Sequence, residues 1–225
     1  LDLTQVPATL KGVIQARLDA LAPDERAAAQ RAAVVGRVFW DSAVKHLDPT
    51  GDGDADDALA RLRNREIVFR RQSSAFSGST EFSFRHALLR DVAYESLLRA
   101  TRRIYHGRVA EWLEGLAGET GRGDEYAAVI AEHHAEAGQE AEAAHWYLRA
   151  GQGAAAIFAN TEALDLFRRV ERLAPVGSGL VVETLLAIET VLDRVGDRPA
   201  QRTILDRLGG LTLDPGHRAA VKFAE

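Results

Sequence analysis

The chain has 225 residues, 46% of them hydrophobic and 27% charged, with a net charge of −5. That is room for one large or two modest domains of ordinary globular composition. Cysteine is absent, which excludes disulfides and thiolate zinc centres and fits the cytosol; the longest charge-free run, 150–161, is too short to cross a membrane as a helix.

Residues 8–21, ATLKGVIQARLDAL, place Leu10, Val13, Ile14, Leu18 and Leu21 at helical intervals after Pro7. A second helix starts at Pro23, with Asp24 and Glu25 in its first turn, and stops at Gly36. A short third helix is expected across 40–47. After the loop DPTGDGDADD comes a fourth, DALARLRNR. Two strand candidates follow, EIVFRRQ and TEFSFRH, joined by SSAFSGS, whose small polar residues read as a hairpin loop. Three helices and then a two-stranded ribbon is the order of a winged helix, here within 23–98.

His86–Leu98 returns to helical spacing. Beyond it the pattern predicts helices near 99–117, 125–137, 140–158, 161–174, 179–195, 199–209 and from 217 onwards, separated by glycine, asparagine or proline. Tyr147, Gly151, Ala163, Phe167 and Pro175 stand at tetratricopeptide offsets, and a looser unit follows. Such helix pairs bury their apolar faces only by stacking. The fold class expected is therefore mainly α: a winged-helix domain with a small β-hairpin at 23–98, then a tetratricopeptide-like solenoid over 99–225. A further helix is expected within 1–22.

Charge is unevenly spread. Residues 61–108 hold eleven basic and four acidic side chains, net +7, whereas both flanks are acidic. The middle segment calls for an anion: nucleic acid, a nucleotide phosphate or an acidic surface of the same protein.

Several patterns suggest chemistry. Asp48, Asp52, Asp54 and Asp56, with Gly53, match positions of a calcium loop, but Leu59 stands where the bidentate glutamate belongs and Thr50 replaces a ligand. The alternative is an acidic loop that caps the next helix through Asp54 or Asp56. His133 and His134 point about 100° apart on a helix, and with His145 they make no zinc-like set, so no metal site is expected. No G-x-x-x-x-G-K-[ST] loop is present; Lys11, Lys45 and Lys222 are the only lysines. No catalytic constellation assembles, so this chain by itself is expected not to be an enzyme. If the winged helix touches DNA, Arg61 and Arg65 would meet phosphates from the third helix, with Arg70 and Arg71 on the wing. Asp54, Asp56 and Asp57 at the front of that helix oppose this, and no base-reading amide stands there.

VPATLKGVIQARLDAL, AAVVGRVFW, FSFRHALLRDVAYESLL and the alanine-rich array occur in that order. Together they resemble the region after the nucleotide-binding domain of STAND-type signalling ATPases. The likeness is closest to the bacterial branch fused to adenylate or guanylate cyclases or to helix-turn-helix regulators. The resemblance implies an upstream P-loop ATPase domain that binds ATP or ADP with Mg, with the helix within 1–22 as the tail of that module and the rest of this chain as its switch and sensor; the start at Leu1 and the lack of methionine are expected of a segment of a longer polypeptide. It also implies a role for His86. In eukaryotic relatives a histidine after the winged-helix ribbon contacts the ADP phosphate, and Arg85-His86-Ala87-Leu88-Leu89 stands at that place. Ala87 replaces the usual aspartate and Arg85 the usual methionine. The alternative for His86 is a helix cap or a bond to the hairpin.

Three functions remain open at this point. The first is a cytoplasmic regulatory segment that relays nucleotide state and binds a protein, peptide or small inducer on its repeats. The second is a DNA-binding winged-helix regulator. The third is a plain repeat scaffold for protein interaction.

Overall fold

The computed structural model describes residues 8–48 and 55–211. They form eleven helices and three strands, a mainly helical fold with one small antiparallel sheet. The chain divides into two compact units, Leu1–Trp112 and Leu113–Glu225.

The first unit opens with α1 (Ala8–Asp19), which packs against α5 (Ala87–Glu95). Ile14 and Leu18 enter a core shared with α2 (Pro23–Val35), so α1 belongs to this unit. Ala28, Ala29, Ala32 and Ala33 are buried on α2. These small side chains let α4 (Ala55–Asn64) and α5 pack closely on it. Leu59 and Leu62 close the core from α4.

The sheet differs from the expected two-stranded ribbon. Between α2 and α3 (Asp41–His46) lies β1 (Val38–Trp40), and it pairs antiparallel with β3 (Glu81–Phe84). β3 also pairs with β2 (Val68–Arg70), giving the order β1-β3-β2. Trp40 thus ends a strand, and the third helix starts one residue later than expected. Val38, Phe39 and Trp40 are good strand formers. A three-residue strand nevertheless shows no period, and it exists only because β3 supplies its hydrogen bonds. Phe39, Phe82 and Phe84 point to one face; Phe39 stacks on Phe82 at 5.7 Å and meets Phe84 at 5.4 Å.

The loop joining β2 to β3 is anchored. Phe76 is 2% exposed. Its ring lies 4.8 Å from Trp40 and 5.5 Å from Trp112 of α6 (Arg99–Thr120). Around it, the Ala75 amide donates to Glu81 (3.0 Å) and the Thr80 amide to Asp41 (2.8 Å).

In the second unit, α7 (Gly123–Ala137), α8 (Glu140–Ala156), α9 (Asn160–Leu173), α10 (Gly179–Val195) and α11 (Arg198–Gly209) each pack on the next, and α8 also reaches α10. Gly151 of α8 faces the fully buried ring of Phe167 on α9. A Cβ at 151 would come within 2.7 Å of Phe167 Cδ1, so only glycine permits this approach. α7 and α10 stop at Gly138 and Gly196, both at φ 77°. There the following amide returns to a carbonyl one turn back. Phe158 holds the same position after α8 at φ 62°. The helix expected from 217 onwards lies outside the described residues.

Candidate functional site

His86 sits at the N-cap of α5, immediately after β3. The junction is held by backbone on both sides. The Arg85 amide donates to the Ile67 carbonyl (2.9 Å), and the Leu89 amide donates to the His86 carbonyl (3.0 Å). The His86 side chain makes no capping hydrogen bond and is exposed. Arg85 is exposed beside it and lies 3.5 Å from Glu66. A rigid backbone thus presents an imidazole with both ring nitrogens available to a ligand.

The other basic residues singled out in the sequence are mostly engaged. Glu25 is 1% exposed and accepts the Ala22 amide at 3.0 Å. Arg61 and Arg65 each bring Nε within 3.3 Å of its carboxylate, and Arg61 also pairs with Asp24. α4 therefore turns this arginine pair toward α2. Arg71 is held by Glu81 at 2.7 Å on the neighbouring strand. Arg70 is exposed at the end of β2. Arg61 and Arg65 answer to Glu25, and Arg71 to Glu81. The partners of Arg61 and Arg65 lie about forty positions away along the chain, which hides them from any local pattern.

Of the acidic loop, residues 49–54 lie outside the described residues. Asp48 pairs with Arg31 at 2.8 Å, Asp56 with Lys45 at 2.8 Å, and Leu59 is core. Among the described residues no three His, Asp or Glu side chains cluster as a metal set.

Comparison with family models, with curated proteins and with solved structures found no match to this chain.

In the second unit a groove of about 690 Å³ is lined by Asp124, His145, Arg149, Gln152, Gly153 and Glu183. Leu148 and Leu180 supply apolar floor. Arg149 donates to Asp124 at 2.6 Å and Gln152 to Glu183 at 3.0 Å. The lining is mostly from α8 and α10, and its paired charges can exchange partners with a polar ligand. His134 is elsewhere: buried, its Nε2 lies 2.7 Å from Glu114, which also accepts from Trp146 at 2.6 Å. That histidine ties helices together.

The sequence pattern gives no sign of His106. It is 5% exposed on α6, and its Nε2 lies 2.9 Å from the Tyr94 hydroxyl. Burial, then the charges of Arg90 and Arg102, pull its pKa down to about 4. Its unfolded value is higher, so the unfolded chain binds the proton first as pH falls. The contribution is fully present above pH 6.5 and is lost as pH drops toward 4. We expect His106→Gln to flatten this part of the acid limb in urea melts between those pH values. A parallel loss in both proteins would refute the assignment.

Proposed function

We propose that this chain is a regulatory segment of a multidomain STAND-type signalling ATPase. Its winged-helix region, 23–98, relays the nucleotide state of an upstream NTPase domain. Its helical array binds a protein, peptide or small inducer along the face formed by α8 and α10. The element order α2-β1-α3-α4-β2-β3 supports the winged-helix reading. The facing of Gly151 and Phe167 supports the tetratricopeptide-like reading of the array.

The observation that carries the relay is the exposed His86 ring, without a capping bond, on a junction held by the Ile67 carbonyl and the first turn of α5. A phosphate reached by that ring gains a charge-assisted hydrogen bond. Gaining or losing that contact biases a two-state element. The engagement of Arg61 and Arg65 with α2, together with the anchored β2–β3 loop, favours this reading over direct DNA contact.

The test is His86→Ala in the full-length protein. ADP release is expected to accelerate, while the stability of this chain changes by less than about 0.5 kcal/mol, as for a surface side chain without partners. Stopped-flow release of a fluorescent ADP and a urea melt give both numbers. Unchanged release would return the chain to a plain scaffold.

A further inference from the structure

We propose that the groove between α8 and α10 takes a peptide segment with a basic side chain, held by Glu183; this rests on the array being a ligand-binding face and names what that face selects. The groove is lined by two carboxylates, Asp124 and Glu183, and one arginine, Arg149. They differ in how far the protein already answers them. Arg149 donates to Asp124 at 2.6 Å, and its guanidinium carbon lies 5.1 Å from the centroid of the Trp146 ring. The guanidinium also lies against the backbone of Gly123, where a Cβ would come within 2.6 Å of Nη2. Salt-bridged, stacked and fitted over a glycine, Arg149 is held in place, and Asp124 and Arg149 neutralise each other.

Glu183 is left over. Its partner among the described residues is the neutral amide of Gln152, at 3.0 Å. It is exposed and stands one turn into α10, past the free amides of the helix start. The positions three and four away on its helix are Gly179, Leu180, Leu186 and Ala187, so no basic side chain shares its face there. The groove thus carries one uncompensated negative charge. A ligand cation gains a charge-assisted hydrogen bond from it, and an anion meets repulsion. The rest of the lining points to a peptide rather than a bare amine. At about 690 Å³ the groove is far larger than an ammonium or guanidinium group. Leu148, Leu180 and Ala156 offer apolar contact to residues flanking the basic one, and Gly153 keeps the floor low. The Gln152 amide carries both a donor and an acceptor for a peptide group.

The experiment titrates three pentapeptides into the isotope-labelled full chain at about pH 8, where imidazoles are uncharged. Each is acetyl-Ala-Leu-Xaa-Leu-Ala-amide, with arginine, norleucine or glutamate at the centre. The side-chain amide of Gln152 is followed by NMR. The arginine peptide is expected to bind about fivefold tighter than the norleucine peptide, the scale of a part-exposed ion pair, and the glutamate peptide weakest. Salt at about 0.5 M is expected to narrow the gap. Glu183→Gln is expected to abolish the ranking while binding persists, and Glu183→Lys to reverse it. Gly153→Leu, shown to be folded by circular dichroism, is expected to block all three peptides, because the open space beside that glycine is the groove itself. Equal affinities, tightest binding by the glutamate peptide, or a ranking that survives Glu183→Gln would overturn the basic preference and, with Gly153→Leu still blocking, leave the array a binding face. No shift at Gln152 with any peptide, or binding untouched by Gly153→Leu, would overturn both.

Discussion

Replacing Phe76 by alanine should lower the stability of the first unit by about 3–5 kcal/mol, as for a large buried aromatic cut to a methyl. The loop it stands in looks dispensable: serine, alanine and glycine surround it. Yet the ring is fully enclosed by Trp40 and Trp112, and those contacts add pairing energy beyond area burial. Hydrogen exchange read by mass spectrometry would place the loss in β2, β3 and the first half of α6. A free loop predicts the opposite result, a change within about 0.5 kcal/mol, so a small effect would mean that the loop is not anchored. The contact spends the one large apolar side chain of the β2–β3 loop inside the protein.

A second large effect is expected in the other unit, where two glycines of α8 should respond with opposite sign. Gly151→Val should destabilise by about 3 kcal/mol, because added carbons run into the buried Phe167 ring and the core has no room to yield. Gly153→Ala should stabilise by about 0.5–1 kcal/mol, since a Cβ there meets nothing within 4 Å and the helix gains rigidity. Urea melts of both variants, read by exchange in α8 and α9, give the comparison. Equal responses would show that α8 and α9 do not approach as closely as described.

Most helices are legible in the amino-acid sequence, because long amphipathic segments carry their period in the chain. The helices expected at 140–158 and 179–195 correspond to α8 (Glu140–Ala156) and α10 (Gly179–Val195). The offsets of four that carry Gly151 and Phe167 are legible too, but their packing on each other comes only with the fold. β1 is not, because a three-residue strand has no period and takes its identity from β3, some forty residues away. The tether at Phe76 has a faint signal, one phenylalanine in a small polar loop, but nothing local names its two tryptophan partners.

The candidate sites divide in the same way. The position of His86 at a strand-to-helix change is visible in the residues; its exposure and lack of a capping bond are not. The basic excess of 61–108 is plain in the composition. Which arginines find carboxylates depends on side chains brought together from α2, the end of α4 and β3. The sequence by itself determined the helices, their order and the local charge, since these follow from neighbours within a few residues. Only the tertiary structure decided the third strand, the anchored loop and the pairing of Arg61 and Arg65 with Glu25, since each depends on contacts between residues far apart in the chain.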